Sequence, residues 1–121
     1  MEAHFAGDNL DEVVAATLRM LPEAIVLCDE THVLFANEAA RRLLGGSRAA
    51  EVEGASYLRF LDHEYADTNA EQQAYVLHNL VEFVDFPVKV HTLDDEILRL
   101  RVGMRPVSLD GTTVAMVKLA P

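Results

Sequence analysis

The sequence predicts an α+β fold in which two short strands are followed by several helices and then by three further strands. Apolar runs at residues 25–28 and 33–36 are too short for helices, and a polar stretch separates them. Residues 37–44 then show helical spacing of apolar side chains. The C-terminal third alternates apolar and polar residues, which is typical of strands with one buried face.

Composition limits the class of protein. With 121 residues, half of them apolar and 25% charged, the chain has the size and composition of one soluble globular domain. No apolar run approaches a membrane span, and the N-terminus lacks the core of a signal peptide. The single cysteine, Cys28, excludes an internal disulfide and agrees with a cytoplasmic location. A net charge of −10 argues against direct binding of nucleic acid.

The N-terminal part is predicted to be a flexible tail over residues 1–7 and an amphipathic helix over residues 8–21. Asp8 or Asn9 can cap this helix, and Pro22 ends it. Its apolar stripe consists of Leu10, Val13, Val14, Thr17, Leu18 and Leu21. The stripe can pack on the sheet of its own domain or meet its counterpart in a second chain. We expect it to form the interface of a homodimer.

The central segment is predicted to be helical. Asn37 stands at the N-cap of the first helix, which Gly45 and Gly46 end. Short helices are expected over residues 47–54 and 56–62, then a polar loop over 63–69 and a longer helix over about 70–83.

Three strands are predicted to complete the chain, over residues 84–92, 97–107 and 112–120. Pro87 cannot donate a backbone hydrogen bond, so the first of these strands should lie at an edge of the sheet. The pair Asp110-Gly111 predicts a tight hairpin between the last two strands.

The unit over residues 22–46, a hairpin followed by Asn37 and a helix ending in Leu-Leu-Gly, resembles the opening of a PAS domain. The helices and three strands that follow extend the resemblance to residue 120. It implies that residues 22–121 are a PAS domain, with a five-stranded antiparallel sheet and helices on one face. The N-terminal hairpin should then lie beside the last strand. PAS domains are sensory or dimerisation modules of signalling proteins, so this function is expected.

Catalysis by this domain is not expected. Its five histidines are scattered along the chain, and no nucleophile motif, metal-ligand pair or phosphate-binding glycine loop is present. The acidic triplet at residues 94–96 is interpreted as a solvated hairpin tip. A catalytic output domain can still belong to a longer parent protein.

The resemblance raises the question of a bound ligand. Light-sensing flavin PAS domains carry a reactive cysteine before an Arg-Phe-Leu run, but here Leu58 precedes Arg59, Phe60 and Leu61. A flavin-cysteinyl adduct is therefore not expected. Haem-binding PAS domains use a histidine on the long helix, where His78 lies at the border of the apolar stripe. Haem is not expected either, which leaves an uncoloured apolar or amphipathic small molecule.

The candidate lining of such a pocket is mostly apolar. It comprises Cys28, Phe35, Tyr57, Leu58, Phe60, Val76, Asn79, Leu80, Phe83, Phe86, Leu100, Val102 and Met104, together with Val26 and Leu43. Asn79, Tyr75 or Arg59 are the candidate polar anchors. The same residues can instead fill a packed core, which would favour the alternative function of a ligand-free homodimerisation domain. Cys28 is interpreted as a small buried hydrophobe.

The last strand ends at residues 117–121 without the Asp-Ile-Thr-like motif that many PAS domains use to couple to a downstream helix. We therefore expect either a fragment cut before its output region or coupling through the N-terminal helix. The expected mechanism is a population shift, in which a ligand or partner changes the packing between sheet and helices and biases the N-terminal helix.

Overall fold

A computed structural model describes residues 18, 21–80, 82–109 and 111–121, and for residues 83–85 and 109 it describes the backbone alone. The elements in chain order are strand β1 (Ala24–Cys28), strand β2 (Val33–Ala36), helix α1 (Glu38–Gly45), 3₁₀ helices at Gly46–Glu51 and Tyr57–Phe60, helix α2 (His63–Asn79), and strands β3 (Phe83–His91), β4 (Ile97–Leu109) and β5 (Thr112–Ala120). Within these residues, no helix is long and apolar enough to cross a membrane.

The five strands form one antiparallel sheet in the order β2-β1-β5-β4-β3. β1 pairs with β5 over its whole length, so the N-terminal hairpin does lie beside the last strand. β3 is an edge strand, as Pro87 predicted, since an edge strand can leave one side of its backbone unpaired. The predicted α+β fold with a five-stranded antiparallel sheet is confirmed.

The two faces of the sheet differ in what covers them. The inner face carries α1, the 3₁₀ helices and α2, and together they enclose the main apolar core. The outer face carries a smaller cluster made of Leu27, Leu34, Phe35 and Val114. Leu18, which is helical, packs against this outer cluster. The helices described beyond residue 24 therefore lie on one face, while the chain before β1 approaches the other.

Asn37 is the N-cap of α1, as predicted, and its side chain also forms hydrogen bonds with three backbone groups that precede it in the chain. Its side chain is 0% exposed. The side-chain oxygen accepts hydrogen bonds from the backbone N–H groups of Ala40 and Ile25, each at 3.0 Å. The side-chain nitrogen donates to the carbonyl oxygens of Leu18 at 3.0 Å and Glu23 at 2.7 Å. All four hydrogen-bonding positions of the amide are thus used, which explains how a polar side chain is stable at full burial.

The long helix differs from its prediction at both ends. Residues 63–69, expected to be a loop, form the first two turns of α2, because the Asp62 side chain caps the helix by accepting from the N–H of Glu64. The helix ends at Asn79, and Leu80 adopts a left-handed conformation with φ 55°. Phe83, expected at the end of this helix, instead begins β3.

Candidate functional site

An internal cavity of about 50 Å³ lies between α2 and the inner face of the sheet. Its lining is apolar almost throughout and consists of Val26, Cys28, Val33, Leu44, Tyr57, Phe60, Leu61, Asn69, Gln73, Val88, Val90, Val102, Met104, Val117 and Leu119. A water molecule needs roughly 10–15 Å³ of such space, so the cavity is large enough for about three or four water-sized groups. It is therefore large enough, as it stands, for a very small molecule.

Several of the predicted pocket residues do line this cavity, namely Val26, Cys28, Tyr57, Phe60, Val102 and Met104. Val76 and Leu100 are buried in the same core but do not reach the cavity. Leu43 and Phe86 are half-buried at the margin of the core. Phe83 belongs to β3, and its side chain lies outside the described residues.

Four predicted pocket residues lie elsewhere. Phe35 pairs with Leu27 across β1 and β2, and both side chains belong to the outer cluster, so Phe35 is separated from the cavity by the sheet. Leu58 is 42% exposed, because Tyr57 and Phe60 occupy the inward positions of its 3₁₀ helix. Asn79 is exposed at the last position of α2, and Leu80, just beyond it, is 64% exposed. The placement of these four residues on the cavity was wrong.

Two polar residues of α2 complete the cavity and were missed by the sequence interpretation. The buried residues of this helix are Asn69, Gln73 and Val76, which recur at helical spacing and face the sheet. Gln73 is 1% exposed, and its side-chain nitrogen donates to the carbonyl oxygen of Asp29 at 2.5 Å. Asn69 and Gln73 precede Val76 by seven and three residues, which places all three on one face of a helix. With Asp62 recognised as the N-cap, this spacing would have identified the two polar residues as inward-facing.

The titratable groups of the cavity are neutral. Burial, together with the nearby Asp29 carboxylate, raises the pKa of the Cys28 thiol to about 12. Burial likewise raises the pKa of the Tyr57 hydroxyl to about 12, with smaller contributions from Cys28 and Glu30. Both groups keep their protons at neutral pH, so neither brings a charge to the cavity. A buried thiol with a raised pKa agrees with the interpretation of Cys28 as a small hydrophobe.

A surface groove runs along the outside of α2 where the helix meets β3. We call it the α2–β3 groove, and its lining consists of Glu64, Tyr65, Thr68, Asn69, Gln72, Phe86, Pro87 and Val88. Asn69 and Val88 also line the internal cavity. These two residues therefore form the wall between the groove and the cavity.

The remaining polar candidates lie away from the cavity. His78 is exposed on α2 and contacts the Glu30 carboxylate in the β1–β2 loop. In the acidic triplet, Asp94 accepts hydrogen bonds from the backbone N–H and the hydroxyl of Ser47, at 2.9 and 2.7 Å. These bonds hold the pKa of the Asp94 carboxyl below its usual value. Within the described residues, no group of three histidine, cysteine or acidic side chains is placed to hold a metal ion.

Of the stripe predicted to form a dimer interface, the structure describes only the last two residues, Leu18 and Leu21. Leu10, Val13, Val14 and Thr17, like the expected tail over residues 1–7, lie outside the described residues. Leu18 packs against the outer cluster of its own sheet, and Leu21 is half-buried. Of the two arrangements considered for the stripe, packing on its own sheet is the one that Leu18 adopts.

Comparison with solved structures identifies similar folds. The PAS domain of nitrogen regulation protein NR(II) from Vibrio parahaemolyticus is 19% identical with a TM-score of 0.65, and the match covers 90% of this chain and 97% of that one. A PAS domain from Colwellia psychrerythraea is 11% identical with a TM-score of 0.74, over 91% and 95% of the two chains. Cycle PAS-B of Drosophila melanogaster, with bound ethylene glycol, is 17% identical with a TM-score of 0.67, over 80% and 97%.

A search of curated proteins found no match to this chain. The profile of the PAS domain family matches residues 22–118. This range includes strands β1 to β4, most of β5, both α-helices and every cavity-lining residue except Leu119. The chain therefore belongs to the PAS domain family.

Proposed function

We propose that this domain is the sensory module of a cytoplasmic signal-transduction protein, and that it binds a small uncoloured molecule in its internal cavity. The observation that supports this most directly is the cavity of about 50 Å³ beneath α2. Interiors of folded proteins are close-packed, so a void that can hold several heavy atoms costs stability unless a molecule occupies it.

The relatives support the same function. The NR(II) domain belongs to a nitrogen regulation protein, and another similar structure is a PAS domain from a two-component sensor histidine kinase. Cycle PAS-B was solved with ethylene glycol and, as a Trp-to-Ala variant, with glycerol. Molecules of that size match the few heavy atoms that this cavity can hold. Catalysis is assigned to neither the cavity nor the groove.

Native mass spectrometry of freshly purified protein tests this proposal, with a Val102→Phe variant for comparison. Val102 lines the cavity, so the larger ring should fill it and displace any retained molecule. Val107→Phe is the matched control, because Val107 lies on the same strand and packs toward the outer face. A discrete excess mass in the wild type and the control, and its loss in Val102→Phe, is expected. Retention of the excess mass by Val102→Phe would place the ligand elsewhere.

The second candidate function is a homodimerisation domain, which the apolar outer cluster supports. Leu27, Phe35 and Val114 lie there, and Leu18 covers part of them. A second chain could extend this cover through the predicted stripe of residues 10–21. Val14→Glu combined with Leu21→Glu should then convert the dimer to a monomer in sedimentation analysis. A dimer mass that survives both substitutions would exclude the stripe as the interface.

A further inference from the structure

Helix α2 is fastened at each end by an imidazole that contacts a carboxylate. At the N-terminal end, His91 Nε2 on β3 lies 2.7 Å from a side-chain oxygen of Asp62, the N-cap of the helix. At the C-terminal end, His78 in the last turn contacts the Glu30 carboxylate in the loop between β1 and β2. Because β3 and the β1–β2 hairpin lie at opposite ends of the strand order, the two pairs hold α2 at both sides of the sheet that it crosses.

The inward face of α2 explains why contacts at its ends matter. Its buried residues are Asn69, Gln73 and Val76, of which only Val76 is apolar, and the half-buried Leu77 adds one contact with the core. Helices in globular proteins gain most of their stability from packing of an apolar face. An element with few buried apolar contacts opens at a lower free energy than the core around it. The two end contacts therefore make up a large part of what resists the opening of α2.

The strength of both end contacts depends on the charge of the imidazole. A neutral imidazole can still form a hydrogen bond with a carboxylate, but protonation adds the attraction of opposite charges. The helix dipole favours the same charges, a carboxylate at Asp62 and a protonated His78 in the last turn. An imidazole in water titrates near about pH 6.5, whereas carboxylates stay ionised above about pH 5. Both contacts therefore weaken together as the pH rises through neutrality.

Other charged or titratable groups surround the two contacts. Near His91 and Asp62 they are Arg48, Arg59, His63, Glu64, Lys89 and Asp95. Near Glu30 they are Asp29 and Tyr57. The guanidinium of Arg48 already forms an ion pair with Glu51. Because the Coulomb energy falls with distance, the carboxylates in direct contact act most strongly on the two imidazoles.

We propose that α2 is a pH-sensitive cover over the inner face of the sheet, which protonation of His78 and His91 tightens at both ends and deprotonation loosens. Exposed ion pairs change an equilibrium by about threefold each. Both pairs act on the opening of one helix, so their effects multiply to about tenfold. This response to protons requires no ligand in the cavity, and it therefore goes beyond the proposed function.

Hydrogen exchange of the full chain, measured by NMR at about pH 5.5 and about pH 8 without added ligand, tests this proposal. Protection factors, which correct for the intrinsic effect of pH on exchange, report how often each amide opens. The amides of α2 should be less protected than those of β5 at both pH values, because the helix opens on its own. Their protection should fall about tenfold from the lower to the higher pH.

His78→Gln combined with His91→Gln keeps hydrogen-bonding groups at both sites but removes the change of charge. The protection of α2 in this double variant should differ by less than about twofold between the two pH values. Each single variant should keep about a threefold change, so the test does not depend on folding of the double variant. His63→Gln is the matched control, because His63 is exposed on the same helix, and it should retain the full tenfold change.

Three results would overturn the pH-sensitive cover. The first is a tenfold change that persists in the double variant, which would assign the pH dependence to other groups. The second is protection of α2 that is independent of pH in the wild type. The third is equal protection of α2 and β5, which would show that the helix opens only with the whole domain. The ligand proposal is tested separately by the excess mass in native mass spectrometry, since no ligand enters this experiment.

Discussion

The side-chain nitrogen of Gln73 lies 2.5 Å from the carbonyl oxygen of Asp29, to which it donates a hydrogen bond. This bond fastens the middle of α2 to the loop between β1 and β2. The same helix contributes Val76 as its fully buried apolar residue. A hydrogen bond from a buried polar side chain thus helps to hold α2 over the cavity.

Substitution of Gln73 by alanine is expected to destabilise the domain by about 1–3 kcal/mol, because the carbonyl of Asp29 loses its donor and the core loses volume. Gln72→Ala is the matched control, since it changes helix propensity equally at a half-buried neighbouring position. Urea unfolding followed by circular dichroism gives the comparison. Identical midpoints for the two variants would mean that the Gln73 bond contributes nothing.

Gly46→Ala should be more destabilising than Gly54→Ala. Both glycines have positive φ, +54° and +89°, so both substitutions impose backbone strain of about 1 kcal/mol or more. A β-carbon at Gly46 would also overlap the Asp94 carboxylate, whereas nothing lies within 4 Å of one at Gly54. Thermal unfolding of the two variants measures the difference. A larger loss for Gly54→Ala would contradict the steric argument.

Asp62 predicts a specific dependence of stability on pH. The hydrogen bond from His91, at 2.7 Å, and the N–H of Glu64 lower the pKa of the Asp62 carboxyl in the folded state. Its contribution is therefore complete above the unfolded-state pKa of about 4 and disappears as the pH falls through the lower folded-state value. Asp62→Asn keeps the helix cap but should lose less stability than the wild type between pH 5 and 2. If the urea midpoints of the wild type and Asp62→Asn changed in parallel with pH, the Asp62 carboxylate would not contribute to this pH dependence.

Cys28 should be almost unreactive in the native protein. It is buried, and its thiol has a pKa raised to about 12, so almost no thiolate forms at pH 8. Modification by an aromatic disulfide reagent should follow global unfolding and become complete in urea. Fast modification without denaturant would instead reveal opening of the cavity, since Cys28 is part of its lining.

The strand order was predictable because the family resemblance supplied it and Pro87 agreed with it. Pro87 marked the edge strand, Asn37 marked the start of α1, and the family resemblance placed the hairpin beside β5. The start of α2 was not predictable from apolar periodicity, since Asn69 and Gln73 occupy its inward positions. A rule that looks for apolar residues on the buried face of a helix misses a helix whose buried face is polar.

The residues that line the cavity were predictable only in part. All four residues of β2 are apolar and buried. The strand therefore lacks the alternation of apolar and polar residues that would assign Phe35 to one face of the sheet. The apolar side chains of Leu58 and Leu80 entered the predicted lining on hydrophobicity alone, yet both are exposed. Which apolar side chain reaches a void is decided by backbone direction at turns and helix ends, which composition does not encode.

The four hydrogen bonds of Asn37 connect the residues just before β1 to the strand that lines the cavity. One planar amide joins α1, β1 and the carbonyl of Leu18, so a displacement of β1 is expected to alter the contact at Leu18. Thermodynamic linkage makes such a coupling reciprocal. If a ligand beneath α2 changes how tightly the N-terminal segment is held, then any partner that grips that segment must change the affinity for the ligand by the same factor.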